Sequence, residues 1–343
     1  MAKSSKTVLI TGISGFVALR VAIEFLTHGY RVRGTVRSAG KAERVRALLA
    51  RYADLSGLEF AEADLMSDQG WGDAVAGCRY VAHVASPFPL AQPRDAEELI
   101  RPAVDGTLRV LRAAAGGGVK RFIQTSSSMA VISGHPHDRA APFTEADWSD
   151  LEGPGVIAYT RSKTLAERAA RDFMAGYVGA MSFATVNPGF IIGPVIDERL
   201  GSSADLVRML LNGKYPGAPR LMMACVDVRD VAKCHRLALE YKGGGMDRFL
   251  AVDRVITFGE FALMLRAGLG DKARKVPRRQ LPDFLVRLVG LIDPAARAAV
   301  PELGRRYEID NSATRAALGI DFIPTEEAVT ATGQSLIDLG LAG

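Results

Sequence analysis

The chain has 343 residues, 48% of them hydrophobic, which excludes a disordered protein and leaves room for one large or two modest domains around a substantial core. Its 43 basic and 38 acidic residues give a formal net charge of +5 at pH 7, and the basic residues are spread among acids, so nucleic acid is not an expected partner. Cys78, Cys225 and Cys234 show no paired zinc spacing and are too few for a disulfide framework, so a reducing cytoplasm is expected.

From residue 7 the pattern alternates. "TVLIT" reads as a strand, "GFVALRVAIEFLTHG" as an amphipathic helix, "RVRGTVR" as a second strand, "KAERVRALLARY" as a second helix and "LEFAEADL" as a third strand. Such alternation predicts parallel strands joined by crossover helices. "RYVAHVAS" precedes a helix around 96–115, "KRFIQTSSS" precedes a loop rich in Gly, Pro and His, and a further helix opens near residue 156. "SFATVNPGFIIG" supplies a sixth strand. The expected fold is α/β, a doubly wound parallel sheet of the Rossmann type, with residues 1–190 as the dinucleotide-binding domain. Residues 191–343, richer in Gly and Pro, should form mainly a smaller substrate lobe, with 226–250 returning to the first domain and "VDVRDVAKCHRLALEY" as a helix. No apolar run reaches the roughly 18 residues of a membrane span, and no secretory core is visible, so membrane insertion is not expected.

The first strand ends in "TGISGFVA", with Gly12, Gly15 and Ala18 three apart at the strand-to-helix junction. A missing side chain at Gly12 permits the tight turn, and at Gly15 it lets backbone amides approach a pyrophosphate at the positive helix end. Gly12, Ser14, Gly15, Phe16 and Val17 would form this cradle. At the end of the second strand a carboxylate would accept an NAD ribose, yet the sequence has none before Glu43 and offers Arg37, Lys41 and Arg44. Cations there suit a 2′-phosphate, so NADP(H) is favoured over NAD(H), although surface charges opening a helix would read the same. Asp64, followed by Leu65, stands where a carboxylate can contact the adenine amine; a simple turn residue would look no different.

"AYTRSKTLAE" places Tyr159 and Lys163 four apart at the head of a helix. Ordinary surface neighbours have this spacing, and so does a phenol held beside a cation for proton transfer. The fifth strand ends in "QTSSSMAV", delivering hydroxyls to the carboxyl edge of the sheet, where open α/β folds bind ligands. Loop solvation is the alternative for the serines.

With these parts in hand, the chain resembles the extended short-chain dehydrogenase/reductases, most closely the dihydroflavonol reductase, cinnamoyl-CoA reductase and microbial aldehyde/ketone reductase branch. The likeness rests on "TGISGFVA", "YRVRGTVRS", "ADL", "VAHVASP", "RPAVDGTLRVLRAA", "VKRFIQTSS", "YTRSK", "VNPGFIIGP" and "VDVRDVAKCH". Ala18 and Leu19 depart from the branch, which commonly has Gly and then a small polar residue there. The resemblance implies an NADPH-dependent reduction of an aldehyde or ketone, with Ser127, Tyr159 and Lys163 as the catalytic residues. It implies that Lys163 binds the nicotinamide ribose and lowers the phenol's pKa. It also places Ala85, Ser86, Thr125, Ser126, Pro188, Gly189 and Ser203 against the cofactor. Ser128 cannot be told from Ser127 by sequence alone.

Phe88, Met129, Phe190, Met222 and Met223 would line an apolar substrate pocket, or fill core. His135 and His137 lack a third metal ligand, so no metal is expected, and His83 reads as a packed residue. A nucleotide-sugar epimerase or dehydratase of the same superfamily, and a non-catalytic NADP-sensing protein, are the rival functions. The expected partner is a small carbonyl compound, and the protein would be a monomer or homodimer.

Overall fold

The structure, a computed structural model, describes residues 6–86, 95–243 and 246–343. Its centre is a seven-stranded sheet in the order β3-β2-β1-β4-β5-β6-β9. These strands are β1 (Thr7–Ile10), β2 (Arg31–Val36), β3 (Leu58–Glu62), β4 (Tyr80–His83), β5 (Arg121–Thr125), β6 (Ser182–Pro188) and β9 (Met246–Ala251), and every pairing among them is parallel. β1 shows no polar alternation because helices cover both faces of a parallel sheet, and all of its residues are buried.

The crossover helices are α1 (Phe16–Thr27), α2 (Ala39–Leu49), α3 (Trp71–Val75), α4 (Glu97–Gly116) and α5 (Ala158–Ala175). α4 packs on α5, while α1 packs on α7 (Val228–Glu240). A second, three-stranded sheet is built from β7 (Phe190–Ile192), β8 (Met222–Asp227) and β10 (Arg254–Thr257), with α6 (Ser202–Leu211), α8 (Phe258–Leu269) and α12 (Thr325–Asp338) packed around it. α9 (Asp283–Val289), α10 (Pro294–Ala299) and α11 (Ser312–Leu318) complete the C-terminal part.

Three expectations about elements need correction. "SFATVNPGFIIG" is two strands rather than one, because Gly189 passes so close to β8 that a Cβ there would lie 2.1 Å from the Ala224 carbonyl oxygen. The chain changes sheets at that point. β9, the seventh strand, was not anticipated, since "MDRFLA" opens with charges that are neutralised only in three dimensions: Asp247 pairs with Arg121 at 2.8 Å and Arg248 with Glu167 at 2.7 Å. Finally, "VDVRDVAKCHRLALEY" begins as the end of β8. Asp227 caps α7 by accepting from the Arg229 amide at 2.7 Å.

All three cysteines are buried free thiols. Among the described residues no helix is long and apolar enough to cross a membrane, and no cluster of three metal-ligating side chains occurs.

Candidate active site

The carboxyl ends of the parallel strands open onto a cavity of about 950 Å³. Its walls bring together Gly12, Ser14, Gly15, Phe16, Val17, Arg37, Lys41, Asp64, Leu65, Ala85, Ser86, Thr125, Ser126, Ser127, Tyr159, Lys163, Pro188, Gly189 and Ser203, and with them Met129, Phe190, Met222 and Met223. Arg44 is not among the walls. It lies further along α2 and pairs with Asp197. Phe88 lies outside the described residues.

The cradle end fits a dinucleotide on two counts. Gly12 has φ +62° and a Cβ there would meet the Ala85 Cβ at 2.9 Å, so both its conformation and its neighbour demand glycine. α1 begins with no side-chain cap and no acidic residue in its first turn, which leaves its positive end open to an anion. The turn is held from below: the Gly12 amide donates to the Thr35 hydroxyl at 2.8 Å, and Thr11 Oγ1 accepts from the Ala85 amide at 3.0 Å while bonding His83 Nδ1 at 2.9 Å. His83 is therefore the packed tie between β1 and β4 that its place in the sequence suggested.

At the other end, α5 starts at Ala158 and carries Tyr159 and Lys163 one turn apart on the face toward β5. The Ser127 hydroxyl is hydrogen-bonded to the Tyr159 phenol. Ser127 also caps a short 3₁₀ turn, its Oγ accepting from the Met129 amide at 3.1 Å, which fixes its side chain. Ser128 is also buried. Lys163 Nζ donates to the Thr125 carbonyl at 3.4 Å.

Burial raises the Tyr159 pKa above its usual 10, and the Ser127 hydrogen bond opposes that rise. Burial lowers the Lys163 ammonium to about 8, with the Glu167 carboxylate one turn on pulling the other way.

Three expected contacts use their hydroxyls on the protein. Thr125 Oγ1 bonds His235 Nε2 at 2.7 Å, Ser126 Oγ donates to Glu167 Oε2 at 2.5 Å, and Ser203 Oγ donates to the Ile191 carbonyl at 2.5 Å. These side chains line the cavity as well.

The tie at Ser126 leads to residues that sequence reasoning missed. Glu167 is fully buried and accepts from Ser126, from Asn187 Nδ2 at 2.8 Å and from Thr185 Oγ1 at 3.3 Å. It also pairs with Arg171 at 3.3 Å and Arg248 at 2.7 Å. Asn187 in turn donates to the Ser127 carbonyl at 3.2 Å, and the Arg248 guanidinium lies over the Trp148 ring at 4.0 Å. Its four-residue offset from Lys163 was the one available signal. Tyr307, from the C-terminal part, also lines the cavity.

His83 and His235 are buried neutral, pushed down to about 3 and about 4 by burial. An unfolded imidazole titrates near 6.5, so below that pH the unfolded chain binds protons that the folded one refuses, and stability falls as pH drops from about 6.5 toward 4. Asp230, raised to about 6 by burial, acts in the opposite direction, but two imidazoles outweigh one carboxyl. Urea unfolding curves should show a lower midpoint at pH 5 than at pH 7; equal midpoints would contradict neutral burial of both rings.

Residues 8–249 match the model of the NAD dependent epimerase/dehydratase family. The tetraketide alpha-pyrone reductase 1 of Arabidopsis thaliana is 30% identical over 344 residues, covering 99% of this chain and 98% of its own. The cinnamoyl-CoA reductase CAD2 of Medicago truncatula is 31% identical over 333 residues, covering 96% and 95%. Among solved structures, Gre2 from Candida albicans in complex with NADPH superposes with a TM-score of 0.80 at 27% identity, covering 97% of this chain and 98% of that one. The cradle, the parallel sheet and these matches together show that the chain belongs to the NAD dependent epimerase/dehydratase family, within the extended short-chain dehydrogenase/reductases.

Proposed function

We propose that the protein is an NADPH-dependent reductase that converts an apolar aldehyde or ketone into an alcohol. The observation that carries this reading is the Ser127–Tyr159 hydrogen bond, in the same cavity as the glycine cradle and the cations Arg37 and Lys41. Relatives named as reductases, and the NADPH complex of Gre2, support it. On this reading residues 1–190 and 226–250 hold the cofactor, and most of 191–343 serves the substrate.

Bound NADPH would supply the hydride for the carbonyl carbon. Gly12, Gly15 and the start of α1 would hold its pyrophosphate, Arg37 and Lys41 its 2′-phosphate, and Asp64 its adenine. Tyr159 is the proton donor. A phenol held above its usual pKa is protonated at neutral pH, the form that a reduction consumes. Ser127 donates to the same oxygen, stabilising charge as it develops, and Lys163, still largely cationic at pH 7, stabilises the phenolate left behind. Met129, Phe190, Met222 and Met223 offer an apolar wall without charged partners for a substrate.

The test is cofactor oxidation with a panel of aldehydes and ketones, using NADPH and NADH in parallel. NADPH should be preferred, and the double variant Arg37→Glu/Lys41→Glu should raise KM for NADPH by about tenfold or more with little change for NADH. Equal use of both cofactors by the parent would remove the 2′-phosphate assignment, and no turnover of any carbonyl compound would remove the reductase reading.

A further inference from the structure

We propose that the turn joining α9 and α10 is a membrane-docking tip that seats Leu291 and Ile292 in the interface of an anionic bilayer. Turn tips are normally polar, because their backbone groups need water and their side chains face it. Here Leu291 is 72% and Ile292 85% exposed, and the apolar surface continues along α9 through Leu288 and Phe284, at 56% and 61%. α9 buries Val286 and no other residue. Such a run is more than scattered exposure of single side chains.

The amides of this tip and the carbonyls of Gly290 and Leu291 are already satisfied from within. The amides of Gly290, Leu291, Ile292 and Asp293 donate to the carbonyls of Val286, Leu288 and, for the last two, Val289. The Arg297 guanidinium donates to the Gly290 and Leu291 carbonyls, both at 2.8 Å, and the Asp293 carboxylate caps α10 by accepting from the Ala296 amide at 2.8 Å. A turn paired in this way can leave water without stranding polar groups, the condition that a lipid environment imposes.

Charge selects the occupant. Between Asp271 and Arg297 the sequence has seven basic and three acidic residues, and one of those acids, Asp283, is already paired with Arg220. Exposed Arg287 lies on α9 itself. A basic excess in the segment that carries the tip attracts anionic headgroups, whereas a second copy of the same segment would bring like charges together. The tip would lie on the bilayer rather than span it.

The probe is co-sedimentation of the full-length protein with vesicles of phosphatidylcholine alone and of phosphatidylcholine with phosphatidylserine. At low salt the bound fraction should be about tenfold higher on the anionic vesicles, and about 0.5 M salt should reverse it. Leu291→Asp/Ile292→Asp should abolish binding while its thermal melt stays that of the parent, since both side chains are exposed. No pelleting with either vesicle, equal pelleting with both, or undiminished pelleting of the variant would overturn the proposal. So would conversion of a dimer to a monomer by the variant with no vesicle binding by the parent, which would make the face a contact between copies. None of these outcomes depends on the reductase reading.

Discussion

Replacing Tyr159 by phenylalanine is expected to lower carbonyl turnover by about two orders of magnitude or more while leaving NADPH affinity within about a factor of two. The ring still fills the same wall, so the cavity keeps its shape, and the cradle at the far end is untouched. What disappears is the phenolic proton. Ser127 remains, but its Oγ is anchored by the Met129 amide and a serine hydroxyl is too weak an acid to replace the phenol at neutral pH. Single-turnover measurements of NADPH oxidation, with fluorescence titration of the cofactor, separate the two effects. Undiminished turnover would show that the proton comes from elsewhere, and a parallel loss of cofactor binding would show that the substitution had disturbed the site as a whole.

What could be read from the sequence was what local geometry determines. The first βα turn was legible because a positive φ at Gly12 and an uncapped helix start are properties of a few consecutive residues. Tyr159 and Lys163 were legible because four residues make about one helical turn. Their electrostatics were not, since the burial that raises the phenol and lowers the ammonium comes from the whole fold. Nor could the sequence show that Ser126, Thr125 and Ser203 spend their hydroxyls on Glu167, His235 and Ile191. β9 escaped notice for the same reason: Asp247 and Arg248 look like loop charges until Arg121 and Glu167 are brought to them across the sheet. Nor did the spacing of Arg44 show that it pairs with Asp197, a residue 153 positions away.

Glu167→Ala is expected to destabilise the fold by about 3–5 kcal/mol, the usual cost of removing one partner from a buried ion pair. The carboxylate is fully buried and Arg248 only 6% exposed, so the guanidinium would be stranded without solvent to receive it. Arg248 Nε lies 2.7 Å from Glu167 Oε1, and Nη2 donates to Oε2 at 3.5 Å. The rest of the guanidinium is tied to the backbone carbonyls of Ala130, Glu145 and Asp147, so a displaced Arg248 would drag the loop that carries Met129. Asn187, losing Glu167, would hold the Ser127 carbonyl less firmly, and turnover should fall with stability. Replacing both charges, Glu167→Met with Arg248→Met, should recover part of the lost stability, because the more deeply buried cation is removed with its partner and only the part-exposed Arg171 loses its carboxylate, while Ser126 is left without its acceptor. Urea unfolding of the parent, the single variant and the double variant measures the coupling directly; a loss below about 1 kcal/mol for Glu167→Ala would mean that water reaches the cluster and that the site is held in place by packing alone.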